Sequence, residues 1–163
     1  LHYVKTTIES IGGSVRIQSQ PGKTVVTLEI PSCAPPTWFV PAIEIPAGRI
    51  VVMLDDDQLV HGAMKLRIGD RVPLRHFYKG SEFHAWVSSL SQAELGSYLF
   101  LCDYELQGER ETGLDHIERL GIASRSLLLT GRSSDPAIQK ECSRLEIGLV
   151  PKALVAQIPI VVS

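Results

Sequence analysis

The rhythm of apolar and polar positions changes along the chain, and each change predicts an element. From Arg49 to Leu54 the apolar residues Ile50, Val51, Val52, Met53 and Leu54 run without a break. That pattern predicts a strand buried on both faces. Gln58–Ile68 places Leu59, Ala63 and Leu66 at helical intervals, which predicts a helix with those residues turned inward. Val72–Tyr78 reads as a short second strand and Ser81–Leu90 as a second helix, capped by Ser81 with Glu82 behind it. Tyr98–Cys102 is a third apolar strand, and Gly113–Leu120 carries Leu114, Ile117 and Leu120 in one helical stripe. Ser126–Leu129 follows as a fourth strand. Asp135-Pro136, a cap followed by proline at the first helical position, opens a helix bearing Ile138, Cys142 and Leu145. Ile147–Val150 is the fifth strand. Strand and helix alternating in this way predict an α/β fold, a doubly wound five-stranded parallel sheet covered on both sides.

Upstream the rhythm differs. Val4, Ile8 and Ile11 recur at helical spacing before Gly12-Gly13, and two partly alternating runs, Ser14–Ser19 and Thr24–Ile30, flank Gln20-Pro21-Gly22-Lys23. This predicts a helix followed by a hairpin, a unit too small to bury both its faces unaided. Pro31, Pro35, Pro36, Pro41 and Pro46 are half of the ten prolines. They predict an extended connector from Pro31 to Gly48, because proline fixes φ and removes a backbone donor. Trp38-Phe39 is positioned to anchor that connector on a domain. The expected division is therefore residues 1–31, a linker over 32–48, and a body over 49–163.

Composition narrows the function. In 163 residues, 44% are apolar and 21% charged, a globular balance, and the net charge of −2 argues against a nucleic-acid or anionic-lipid binder. Cys33, Cys102 and Cys142 form no C-x-x-C pair and read as reduced thiols of a cytoplasmic protein. No apolar run is long enough to span a membrane, so no membrane contact is expected of this segment. The chain starts at Leu1, which is expected of a piece of a longer parent; such a parent could be membrane-associated.

The polar residues that end the strands carry the chemistry, since ligands of open α/β sheets collect beyond the carboxyl ends of the strands. The first strand ends in Asp55-Asp56-Asp57, the third in Asp103 and the fourth in Thr130; Lys152 follows the fifth. Carboxylates that converge repel one another unless a cation sits among them, and oxygen-only ligands suit Mg²⁺. A carboxylate beside Mg²⁺ can attack a phosphoryl group, whose oxygens then need positive charge and donors such as Lys152 and the Thr130 hydroxyl. Taken singly, each has a plainer reading: an acidic cluster as a helix cap or solvated turn, Thr130 as a turn hydroxyl, Lys152 as a surface amine. Their order at the ends of separate strands favours the joint reading.

V-V-M-L-D-D-D, L-F-L-C-D-Y, L-L-L-T-G and L-V-P-K, between Ile50 and about Leu154, resemble the receiver domains of response regulators and hybrid histidine kinases. The resemblance implies a flavodoxin-like sheet of strand order 2-1-3-4-5. It implies Asp103 as phospho-acceptor, Thr130 and Lys152 as its partners, and Mg²⁺ on Asp55, Asp56, Asp103 and the backbone carbonyl of Glu105. Asp57 would be a neighbour, and Arg132 and Glu105 would tune the lifetime of the phosphoryl group. The implied partner is a histidine-phosphorylated kinase domain or a phosphotransfer protein. The first thirty residues resemble the end of a histidine-kinase ATP-binding domain, with Leu1 at the last position of the nucleotide lid. Without the asparagine-bearing helix and the glycine motifs of that family, the fragment cannot bind ATP alone; it implies a hybrid kinase parent and offers a surface for homodimer pairing.

Three departures from the family pattern stand out. Leu149 occupies the place of an aromatic, Ala153 follows the lysine where proline is usual, and Ile158-Pro159-Ile160-Val161-Val162 predicts a short or absent last helix. Rival readings fare worse. A haloacid-dehalogenase-type phosphatase needs D-x-D-x-T or V, which Asp55-Asp56-Asp57-Gln58-Leu59 fails, and a non-catalytic pseudo-receiver would be expected to have lost an acid or the lysine. No G-x-x-x-x-G-K precedes the acidic strand, which excludes a P-loop enzyme. His2, His61, His76, His84 and His116 show no ligand spacing and are expected at the surface or its boundary. Cys102, next to Asp103 on its strand, should face away from the crevice.

Overall fold

Every long apolar run became a central strand. The computed structural model describes residues 2–163, so the place expected for Leu1 lies outside the described residues. The chain divides into two units, residues 1–35 and 36–163.

In the first unit, helix α1 (His2–Ser10) precedes strands β1 (Ser14–Gln20) and β2 (Lys23–Glu29). The strands pair antiparallel, Ser14 opposite Glu29 and Gln20 opposite Lys23. Gly13 is required between helix and hairpin, because a Cβ there would lie 2.5 Å from the Glu29 carbonyl oxygen and 2.8 Å from Ile8 Cγ2. The unit buries little: Ile17, Val26, Leu28 and Ile30 are all exposed.

The second unit contains β3 (Ile43–Ile45), β4 (Ile50–Leu54), α2 (Gln58–Ile68), β5 (Leu74–Phe77), α3 (Gly80–Ser88) and α4 (Gln92–Leu95). It continues with β6 (Tyr98–Asp103), α5 (Gly113–Leu120), β7 (Ser126–Thr130), α6 (Pro136–Arg144), β8 (Gly148–Pro151) and β9 (Ile160–Val162). Five strands form one parallel sheet in the order β5-β4-β6-β7-β8, the flavodoxin-like 2-1-3-4-5 arrangement. Alternate strand residues feed two cores, as the pleat requires. Val52, Leu54, Phe100, Cys102 and Leu128 pack against Phe83 of α3, Ile117 of α5 and Ile138 of α6. Val51, Met53, Leu101, Leu129 and Val150 pack against Met64 and Ile68 of α2 and against Ile43 and Ile45 of β3. Each fully buried Leu or Ile stabilises this unit by about 1.5–3 kcal/mol. As expected, Cys102 is a packing residue.

Several local expectations are corrected. Helix α2 has the expected bounds but is rotated: His61, Met64 and Ile68 face inward, while Leu59 and Leu66 are 80% and 86% exposed. Met64 and Ile68 join the core on that sheet face, and His61 finds polar partners there. Helix α3 starts at Gly80 with Lys79 at the cap position and no side-chain cap, so Ser81 lies inside it. The histidines are not all superficial, since His61 and His116 are buried.

The stretch read as a connector has no helix, but its second half folds with the body. The Leu149 amide donates to the Trp38 carbonyl (2.7 Å) and the Val40 amide to the Leu149 carbonyl (3.1 Å), so residues 38–40 form a strap along the outer edge of β8. Gly148 makes room for it: a Cβ there would lie 2.3 Å from Val40 Cγ2. Farther on, β3 pairs parallel with β9, Ile43 opposite Ile160. No final helix forms. After a single 3₁₀ turn at Lys152–Leu154 the β-branched run around Pro159 is extended, and the Arg67 guanidinium holds it through the Val155 and Ile158 carbonyls.

Candidate functional site

Asp55 follows directly on β4, and Asp103 ends β6, its neighbour in the sheet. Parallel pairing brings both carboxylates to the same end. Asp55 and Asp103 are 0% and 3% exposed, while Asp56 is half-buried. Carboxylate oxygens of Asp55, Asp56 and Asp103 lie within 4.8 Å of one another. Lys152 reaches in from the end of β8, its Nζ 2.7 Å from Asp103 Oδ2 and 3.0 Å from Asp55 Oδ2, and it donates to Asp55 Oδ1 at 3.2 Å. A cleft of about 410 Å³ opens above, bordered by Asp56, Asp57, Asp103, Glu105, Gly131 and Lys152.

Backbone packing sets the end of β6 that carries Asp103. Gly113 begins α5 directly against β6, where a Cβ would lie 1.8 Å from the Asp103 carbonyl oxygen. The Gly113 amide donates to the Tyr104 carbonyl (3.0 Å) and the Tyr104 amide to the Leu129 carbonyl (2.9 Å). Any side chain at Gly113 would push α5 away from the strand end that carries Asp103.

The electrostatics follow from burial. Burial pushes the Asp55 carboxyl up, opposed by the Asp57 amide and Lys152. It pushes Asp103 up to about 6; Lys152 opposes that and the Asp55 charge reinforces it. Burial pulls the Lys152 ammonium down, but Asp103 and Asp55 outweigh it and hold it above its usual range. One ammonium thus serves two buried acids. Asp55 Oδ2 remains buried without a hydrogen bond. An oxygen-only set of three clustered carboxylates, in which Asp55 Oδ2 is met by the Lys152 ammonium without a formed hydrogen bond, fits Mg²⁺.

The remaining expected residues fall into place unevenly. Asp57 is a cap, accepting from the Leu59 amide (2.8 Å) while its own amide donates to Asp55 Oδ1 (2.9 Å). Glu105 borders the cleft. Thr130 ends β7 at the same end of the sheet but is buried, its hydroxyl accepting the Arg132 amide (2.9 Å). Arg132 pairs with Glu105 (3.2 Å) and with Asp135, which tethers the loops after β6 and β7 to each other. Leu149 is fully buried beneath the strap.

Sequence reasoning missed His61. Its Nε2 lies 2.8 Å from the Asp55 carbonyl oxygen and its Nδ1 2.7 Å from Nδ1 of His76. Neither residue has a helical or strand-spacing signal linking it to Asp55, because the contact forms between α2 and β5.

The sequence matches no protein-family model and no curated protein. Solved structures do resemble it. Chemotaxis protein CheY4 of Vibrio cholerae is 17% identical with a TM-score of 0.51, over 65% of this chain and 88% of that one. A response regulator receiver protein from Pseudomonas putida is 18% identical with a TM-score of 0.52, over 66% and 88%. The receiver domain of the histidine kinase CKI1 from Arabidopsis thaliana, complexed with Mg²⁺ and BeF₃⁻, is 16% identical with a TM-score of 0.52, over 68% and 87%. Among the described residues no helix is long and apolar enough to cross a membrane. At these identities the likeness establishes the fold, a flavodoxin-like α/β sheet of the kind found in receiver domains.

Proposed function

We propose that the unit from Pro36 onward is a phospho-accepting receiver of a two-component pathway, with Asp103 as acceptor. The observation that carries this is a single lysine, Lys152, bridging two buried carboxylates from adjacent strand ends, with Asp56 beside them. In the transfer, an Asp103 carboxylate oxygen attacks phosphorus and the bond from phosphorus to a histidine nitrogen of the donor breaks. That nitrogen keeps the electron pair. Lys152 neutralises the incoming group, and Thr130 would turn its hydroxyl from the Arg132 amide toward it. Asp55, Asp56, Asp103 and the Glu105 carbonyl would hold Mg²⁺, which when bound offsets the charge of the phosphoryl oxygens. Solved receivers of the same fold support this, one of them complexed with Mg²⁺ and BeF₃⁻.

The donor would be a histidine-phosphorylated kinase domain or a phosphotransfer protein, in the cytoplasm. Residues 1–31 would be the end of a histidine-kinase ATP-binding domain in a hybrid parent, supported by the helix–hairpin they form and the apolar surface they leave uncovered. Beryllofluoride binding in the presence of Mg²⁺ tests the acceptor. Binding is expected for the native chain and lost in Asp103→Asn; a native chain that binds Mg²⁺ but no beryllofluoride would mark an interaction module instead.

A further inference from the structure

The acidic turn is held from behind. The Asp55 amide donates to the Phe77 carbonyl at 3.1 Å, which fixes one side of its peptide plane to β5. The Asp55 carbonyl oxygen lies 2.8 Å from Nε2 of His61, a ring on the inner face of α2 and only 3% exposed. Nδ1 of that ring lies 2.7 Å from Nδ1 of His76, the residue before Phe77 on β5. Asp55 is therefore tied twice to the same strand, directly through Phe77 and indirectly through the two imidazoles. The His61 ring is also packed against the rings of Tyr78 (centroids 4.4 Å apart) and His76 (4.8 Å apart), which limits its rotation.

The chemistry of the partners orders the protons. A carbonyl oxygen only accepts, so His61 carries its proton on Nε2. With one proton per ring, Nδ1 of His61 is an acceptor, and His76 must then carry its own proton on Nδ1. Burial, His61 and Lys65 all lower the His76 pKa, which favours the singly protonated ring. We propose that His76 and His61 form a relay of two hydrogen bonds that positions Asp55, making both histidines positioning residues for the cation site formed by Asp55, Asp56 and Asp103. This rests on the metal-dependent receiver reading and adds a part to it. The relay fixes the peptide of Asp55, leaving its carboxylate to divide between the Asp57 amide and the Lys152 ammonium. Removing a hydrogen-bonded support behind a metal ligand typically costs about 10–100-fold in affinity.

The test is a Mg²⁺ titration of the full chain, followed by tryptophan fluorescence or calorimetry, in four variants. His61→Leu removes the donor and is expected to weaken Mg²⁺ about tenfold. His61→Gln restores an N–H at the reach of Nε2 and should remain within about threefold of the native chain. His76→Phe should fall between the two, and His76→Asn, which keeps a donor at the reach of Nδ1, should bind nearly as the native chain does. A purely structural role would lower the melting temperature without this recovery by the amide variants. Long-range ¹H–¹⁵N spectra give a second readout: His76 is expected as the Nδ1–H tautomer, the less common form of free imidazole. This spectrum and His76→Phe carry the test if His61→Leu does not fold. An Nε2–H tautomer at His76, or undiminished binding in His61→Leu and His76→Phe, would overturn the relay alone. A native chain that binds no Mg²⁺ would overturn the site reading and the relay with it.

Discussion

Leu28 and Leu128 are the same residue in two kinds of surroundings: Leu28, on the hairpin, is 49% exposed, and Leu128, at the centre of the sheet, is 0% exposed. The contrast holds for their units as wholes. The helix and hairpin of residues 2–35 meet every local rule, with a proline–glycine turn, a full antiparallel register and a glycine where the chain folds back. They still leave Val25, Val26, Leu28 and Ile30 in water. Residues 36–163 bury two cores, one on each face of the sheet. Correct local structure is therefore not a fold. Stability comes from apolar area removed from water, and two short strands and a helix remove too little of it.

The strongest way to break this contrast is to cut the chain between Pro35 and Pro36. Residues 36–163 are expected to unfold in one cooperative transition by circular dichroism, and residues 1–35 alone to show none. A cooperative melt of the short piece would show that the hairpin has a core of its own. Leu128→Ala should cost about 2–5 kcal/mol in urea unfolding, whereas Leu28→Ala should stay within about 0.5 kcal/mol. Gly113→Ala should cost about 1–3 kcal/mol through overpacking against the Asp103 carbonyl, and should weaken Mg²⁺ binding as well.

The smallest effect is in pH. Asp103 keeps its proton in the folded chain up to about 6, against an ordinary 3.8 when unfolded. Between these values the folded state binds more protons than the unfolded state, so this group makes stability fall as pH rises from about 4 to about 6. Asp103→Asn should flatten that slope in urea titrations, while Mg²⁺ affinity in the native chain should rise through the same window as the proton leaves.

What could be read from the chain follows the same division between local and long-range physics. Unbroken apolar runs as short and as rich in β-branched residues as Ile50–Leu54 favour a strand covered on both faces, and residues that end such strands converge at one end of a parallel sheet. Asp55, Asp103 and Lys152 were legible for that reason. Helix α2 was legible in extent but not in rotation, because Leu59 and Leu66 mark a helical stripe as well as Met64 and Ile68 do. The choice depends on the shape of a sheet face assembled from distant segments. His61 and His76 were illegible for the same cause: their bond joins a helix to the strand after it, and no spacing encodes it. Thr130 was placed correctly at its strand end, yet its hydroxyl is engaged by the Arg132 amide, a turn bond that the residue type permits but does not require.

The strap of Trp38–Val40 has a consequence for how copies of this protein behave when crowded. An open parallel sheet ordinarily presents two flanks of unpaired amides and carbonyls, each a template on which another chain could lengthen the sheet. On one flank Leu149 has both its amide and its carbonyl engaged by the chain's own residues. The other flank is β5, four residues long and carrying Arg75 and His76. Sheet-to-sheet pairing is thus opposed by self-pairing at one side and by brevity and charge at the other, and a lesion that frees the strap would expose the outer edge of β8 as a template.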